Sequence, residues 1–105
     1  MSWEIVYTHE AREDLKKLDH SQRVPVLKAI EKVSGNPLPQ SEGGFGKPLG
    51  NHASSRLAGY LKITLMALGL RVVYTLRREE KSMVIIVISI RSDETVYKIA
   101  HDRTR

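Results

Sequence analysis

The run Met83-Val-Ile-Ile-Val-Ile-Ser-Ile-Arg91 is apolar at nearly every position, so both of its faces have to be covered. A strand of this kind belongs in the middle of a sheet. Two shorter runs precede it, Tyr60-Leu-Lys-Ile-Thr-Leu65 and Leu70-Arg-Val-Val-Tyr-Thr-Leu76, and both alternate. Leu61, Ile63 and Leu65 point one way, and Tyr60, Lys62 and Thr64 the other. Leu70, Val72, Tyr74 and Leu76 likewise oppose Arg71, Val73 and Thr75. The short links Met66–Gly69 and Arg77–Ser82 read as hairpin connections, which makes the three strands an antiparallel meander.

The N-terminal half supplies the cover. Trp3–Thr8 alternates and reads as a first strand. Thr8 then caps a helix with Glu10 in its first turn, and Ala11, Leu15 and Leu18 fall at helical spacing. Asp19-His20-Ser21 marks a break and a second cap. Val24, Leu27, Ile30 and Val33 give the expected apolar stripe of a second helix, with Pro25 placed in its first turn. Gly35-Asn36-Pro37 ends that helix. Residues 35–56 read as one long polar loop. The expected fold is α+β, in a single domain over residues 1–105. It has a small, mostly antiparallel four-stranded sheet in the order of chain β-α-α-β-β-β, an N-terminal αα-hairpin packed on one face, and a short C-terminal element. The other face is expected to be partly open.

Charge is unevenly divided. Residues 1–46 carry six Lys/Arg against seven Asp/Glu, whereas residues 47–105 carry eleven against five. The excess of positive charge thus lies in the half that holds the sheet, which points to nucleic acid or an acidic protein as partner. There is no cysteine, hence no disulfide framework and no thiolate metal site. The start of the chain lacks a signal-peptide pattern, and no stretch approaches a membrane span, so a cytoplasmic protein without membrane association is expected. No histidines and carboxylates show metal-ligand spacing, and Gly43-Gly-Phe-Gly46 lacks a phosphate-loop ending. No metal and no small-molecule cofactor are expected.

Strand parity brings Lys62, Arg71 and Arg91 to one face. Fixed cations there suit a phosphodiester and the extra charge that develops when it is attacked. RNA carries its own nucleophile, the 2′-OH, so cleavage requires a base, an acid for the leaving 5′-oxygen, and positive charge. Lys62, Arg71, Arg91, Tyr97 and His101 are the residues of the right chemistry. Lys47, Arg56, Arg77, Arg78, Lys81 and His101 are the further residues expected to contact the RNA.

The ordered set Lys47-Pro-Leu49, Leu61-Lys-Ile-Thr-Leu65, Gly69-Leu-Arg-Val-Val-Tyr74, Ile86-Val-Ile-Ser-Ile-Arg91 and Val96-Tyr97 resembles the RelE-type toxins of type II toxin–antitoxin systems, in the RelE/ParE superfamily. The resemblance implies a ribosome-dependent mRNA endoribonuclease that needs no metal. It acts on mRNA in the ribosomal A site, beside rRNA, and is neutralised by a cognate antitoxin. It implies that Lys62 lies near the 2′-OH, that Arg71 contacts the scissile phosphate, that Arg91 stabilises charge or protonates the leaving group, and that Tyr97 stacks on or orients the nucleotide. The chain departs from the pattern at Thr64, where a second lysine often stands. A ParE-like inhibitor of DNA gyrase and a non-catalytic RNA- or antitoxin-binding module are the alternatives.

Overall fold

The computed structural model describes residues 2–49, 59–90 and 93–104. Strand β1 spans Glu4–Tyr7, helix α1 His9–Lys17, helix α2 His20–Ser34, strand β2 Lys47–Pro48, strand β3 Leu61–Leu65, strand β4 Leu70–Arg77, strand β5 Ser82–Ser89 and helix α3 Asp93–Arg103. The sheet order is β1-β5-β4-β3-β2, with β1 parallel to β5 and every other pair antiparallel. The apolar strand β5 is interior, between β1 and β4, although β4 and not β5 takes the middle place. The expected four strands become five, because the two residues of β2 pair with the edge of β3.

Local signals account for the helices. The Thr8 hydroxyl accepts from the Ala11 N–H and donates to the Ile85 carbonyl, so one side chain starts α1 and ties it to β5. Asp19 and Gln22 form a reciprocal capping box at the start of α2. The Arg23 guanidinium donates to the Leu15, Lys16 and Leu18 carbonyls and so ties α2 to the end of α1. Two expectations change in α2. Pro25 lies beyond the first turn, inside the helix, and the buried stripe is Val26, Ile30 and Val33, with Leu27 turned outward. Counting from Val26, these positions follow the i, i+4, i+7 rule, and Leu27 falls off that face.

The sheet is covered on both sides. Leu61, Leu70, Val72, Tyr74, Met83, Ile85 and Ile88 pack under α1 and α2. Val73, Val84, Ile86 and Val87 pack with Val96, Tyr97 and Ala100 of α3. The short C-terminal element is therefore a helix of 11 residues that closes part of the face expected to be open. A β-bulge interrupts the alternation along β5. Val73 pairs with Val87 but Tyr74 with Ile85, so Ile86 is an extra residue in β5. The strand's parity flips there, sending Met83 and Ile85 to one core and Val87 to the other.

Hydrogen bonds fix the described part of the long loop. The Tyr74 hydroxyl donates to the Pro37 carbonyl at 2.9 Å, and Gly46 lies so close that a Cβ there would collide with the phenol oxygen. Backbone bonds from Gln40 to Gly46 and from Phe45 to Asn36 close this segment on itself. Among the described residues no helix is long and apolar enough to cross a membrane.

Candidate active site

Three elements converge on the α3 side of the sheet. Lys62 sits on β3, whose parity sends it to this face, with Val73 of β4 opposite it and Lys47 of β2 opposite it on the other side. Two residues along, Thr64 opposes Arg71, and Arg71 opposes Ser89. Gly69 adopts φ 64° at the β3–β4 turn, a left-handed conformation that suits glycine, and Arg71 Nη1 donates back to its carbonyl at 3.3 Å.

From above, α3 brings Tyr97, whose ring is buried among Val73, Val87 and Ala100. Lys62 Nζ donates to the Tyr97 hydroxyl at 2.9 Å. The same ammonium lies 5.7 Å from the ring centre. The longer distance matches the shorter one extended by the span from ring centre to oxygen. The ammonium thus lies off the hydroxyl end of the ring, and the contact is a charge-assisted hydrogen bond rather than a cation over an aromatic face. Because Lys62 donates, the phenol's own proton stays available for a second acceptor such as a phosphate oxygen. An ammonium, a phenol and a guanidinium on one face can neutralise a phosphate, orient it and exchange protons with it.

The structure brings Lys62, Arg71, Tyr97 and Lys47 to this one region. His101 lies one turn beyond Tyr97 on α3, with Nδ1 3.8 Å from an Asp102 carboxylate oxygen. Arg91 and Arg56 lie outside the described residues. Arg77, Arg78 and Lys81 are not part of the cluster, because they sit at the far end of β4, roughly 20 Å along the strand from Arg71. Arg78 is engaged there in a two-pronged pair with Glu42, at 2.8 and 2.7 Å. Its guanidinium lowers the Glu42 pKa, chiefly through those hydrogen bonds, and Glu42 raises that of Arg78 in return. Both groups are exposed, so the pair fixes loop geometry more than stability. Ser89 of β5, opposite Arg71, is a further polar neighbour on this face, to which sequence reasoning assigns no role.

Among the described residues no three His, Cys, Asp or Glu side chains cluster as metal ligands. The architecture is that of the RelE toxins. A free Escherichia coli RelE double mutant superposes with a TM-score of 0.74 at 20% identity, over 98% of each chain. The toxin–antitoxin complex RelBE2 from Mycobacterium tuberculosis matches at TM-score 0.69 and 25% identity, over 87% of this chain and 93% of that one. An E. coli RelE mutant bound to a peptide of its antitoxin, RelBc, matches at 0.69 and 20% over 95% of each chain. No family model matches the sequence, and neither does any curated protein.

Proposed function

We propose that this chain is the toxin of a type II toxin–antitoxin pair, a cytoplasmic endoribonuclease that cuts mRNA on the ribosome and is silenced by a cognate antitoxin. The observation that carries the reading is the Lys62–Tyr97 hydrogen bond beside Arg71, on a fold shared with toxins solved alone and with antitoxin. In this reading the 2′-OH next to the scissile bond attacks its phosphate. Lys62 lies toward the 2′-OH, Arg71 takes the phosphate charge, Tyr97 orients the nucleotide, and Arg91 serves the leaving side. Lys47 extends the positive strip along the RNA backbone.

Primer extension on ribosomes programmed with mRNA tests this directly. Arg71→Ala and Lys62→Ala are each expected to lower cleavage by about 10²-fold or more, the usual scale for losing one preorganised charge, with the circular dichroism unchanged. Cleavage as fast as the parent's in both variants removes the assigned site. Inhibition of gyrase supercoiling, with no mRNA cleavage by the parent protein, replaces the reading by the ParE-like one.

A further inference from the structure

Tyr97 reaches Lys62 only if α3 is held in one pose. At 11 residues α3 is too short to persist on its own in water, so docking has to hold it. Its buried underside consists of Val96, Tyr97 and Ala100. Apart from the bond between Lys62 and the Tyr97 hydroxyl, the contacts of these three residues in the core cluster are apolar and non-directional.

A directional anchor stands at its other end. Arg103 Nη1 donates to Asp14 Oδ2 at 2.7 Å and to the Ile86 carbonyl at 2.9 Å, and Nη2 donates to Asp14 Oδ1 at 3.0 Å. Asp14 Oδ2 also accepts from the Ile88 N–H at 3.0 Å. The pair is largely shielded, with side chains 23% and 10% exposed. It occupies a definite place in the sheet. β1 pairs with β5 only as far as Ile85, and among the described residues no strand lies beside the outer edge of β5 past that point. The carbonyl of the bulged Ile86 and the N–H of Ile88 face that edge, and the ion pair satisfies both. Asp14 belongs to the helical layer on one face of the sheet and Arg103 to the layer on the other, so the pair joins the two layers around the edge.

We propose that Asp14 and Arg103 are positioning residues, which set the pose of α3 and thereby hold the Tyr97 hydroxyl on Lys62. Tyr97 precedes Arg103 by six residues, about 9 Å along the helix axis, so freeing that end lets the hydroxyl swing away from the ammonium. Displacements of that kind are enough to slow a positioned reaction. The arrangement also demands particular chemistry. A forked donor has to reach a carboxylate and a carbonyl together, and a carboxylate has to take both the fork and an amide.

The effect on activity rests on the function proposed above, but the effect on pose does not. In isotope-labelled protein, Arg103→Lys and Asp14→Asn are expected to speed amide exchange at Val96, Tyr97 and Ala100 by about tenfold or more, the scale of a lost charge-assisted bond. Amides of Val72 and Val73 in β4 should hold their protection, which shows that the fold is intact. The Tyr97 ring signals should move toward those of a Lys62→Met protein, where the hydrogen bond cannot form. Exchanging the charges, with Asp14→Arg and Arg103→Asp together, should not restore them, because the guanidinium would then face the Ile88 N–H and the carboxylate the Ile86 carbonyl. In the cleavage assay Arg103→Lys should lower kcat with little change in KM, and should add nothing in a Tyr97→Ala background. Unchanged exchange and ring signals in Arg103→Lys, recovery on exchanging the charges, or a full additional loss in the Tyr97→Ala background each overturns the proposal. Should the parent protein cleave no RNA, the exchange rates and ring signals still decide the matter, and only the functional reading falls.

Discussion

Tyr74 shows how one side chain organises sequence-distant parts of this molecule. It is fully buried in β4, and its hydroxyl holds the Pro37 carbonyl and with it the segment that leads to Lys47. Removing only the hydroxyl, in Tyr74→Phe, takes away the hydrogen bond but keeps the ring. A loss of about 1–2 kcal/mol in denaturant unfolding is expected. Burial also raises the phenol's pKa well above its ordinary value. A raised folded value means that the contribution is complete below the unfolded tyrosine pKa of about 10 and is lost as pH rises past it. Stability of the parent protein should therefore fall more steeply in alkali than that of Tyr74→Phe, a difference that pH-jump unfolding reads directly. Other residues were legible to different degrees. Lys62 and Arg71 follow from strand alternation, since period two assigns a face with no knowledge of register. Tyr97 is buried and bonded at once, so a choice between core and site has no answer at that position. Its partner lies 35 residues away, and spacing alone carries no record of that contact.

At the scale of elements, the strongest local signals are the caps. Asp19 accepts from the Gln22 N–H and the Ser21 hydroxyl, and Gln22 returns a bond to the Asp19 N–H. These bonds, the Ser21 hydroxyl first, lower the Asp19 pKa. Asp19→Ala should lower the melting temperature by a few degrees. With a lowered folded pKa, the ionised cap contributes fully above the ordinary aspartate range and fades as pH falls through and below it. The melting-temperature gap between Asp19→Ala and parent should thus close in acid, and a gap independent of pH would remove the carboxylate from the account. The caps of α1 and α2 could be read from sequence because Thr8, Asp19 and Gln22 act within one turn. The bulge at Ile86 could not. A run that is apolar on both faces has no phase, so inserting one residue leaves its pattern unchanged. The same uniformity demands cover on both faces, but it carries no sign that α3 supplies the second.

For the whole molecule, net charge is a poorer guide than where the fold puts it. The basic half divides between two ends of the sheet. Lys47, Lys62 and Arg71 share the α3 face near Tyr97, while Arg77, Arg78 and Lys81 lie about 20 Å away at the β4–β5 turn. Lys47 and Lys62 stand directly opposite each other across β2 and β3. Like charges so placed repel, which is tolerable at an edge where an anion comes to lie between them. A short single-stranded RNA should therefore bind with an affinity that falls as salt rises, by about 0.7 in log–log slope for each phosphate contact. Lys47→Gln should flatten that slope by about one such contact. It should also leave the protein slightly more stable, since the repulsion is relieved. Arg77→Gln, at the other end, should leave the slope for a short RNA unchanged and act only where a longer strand or the ribosome spans both ends. Titrations at several salt concentrations with a short and a long RNA separate these cases. Equal effects of Lys47→Gln and Arg77→Gln on the short RNA would mean that binding follows total charge, with no preference for the face that holds Lys62 and Tyr97.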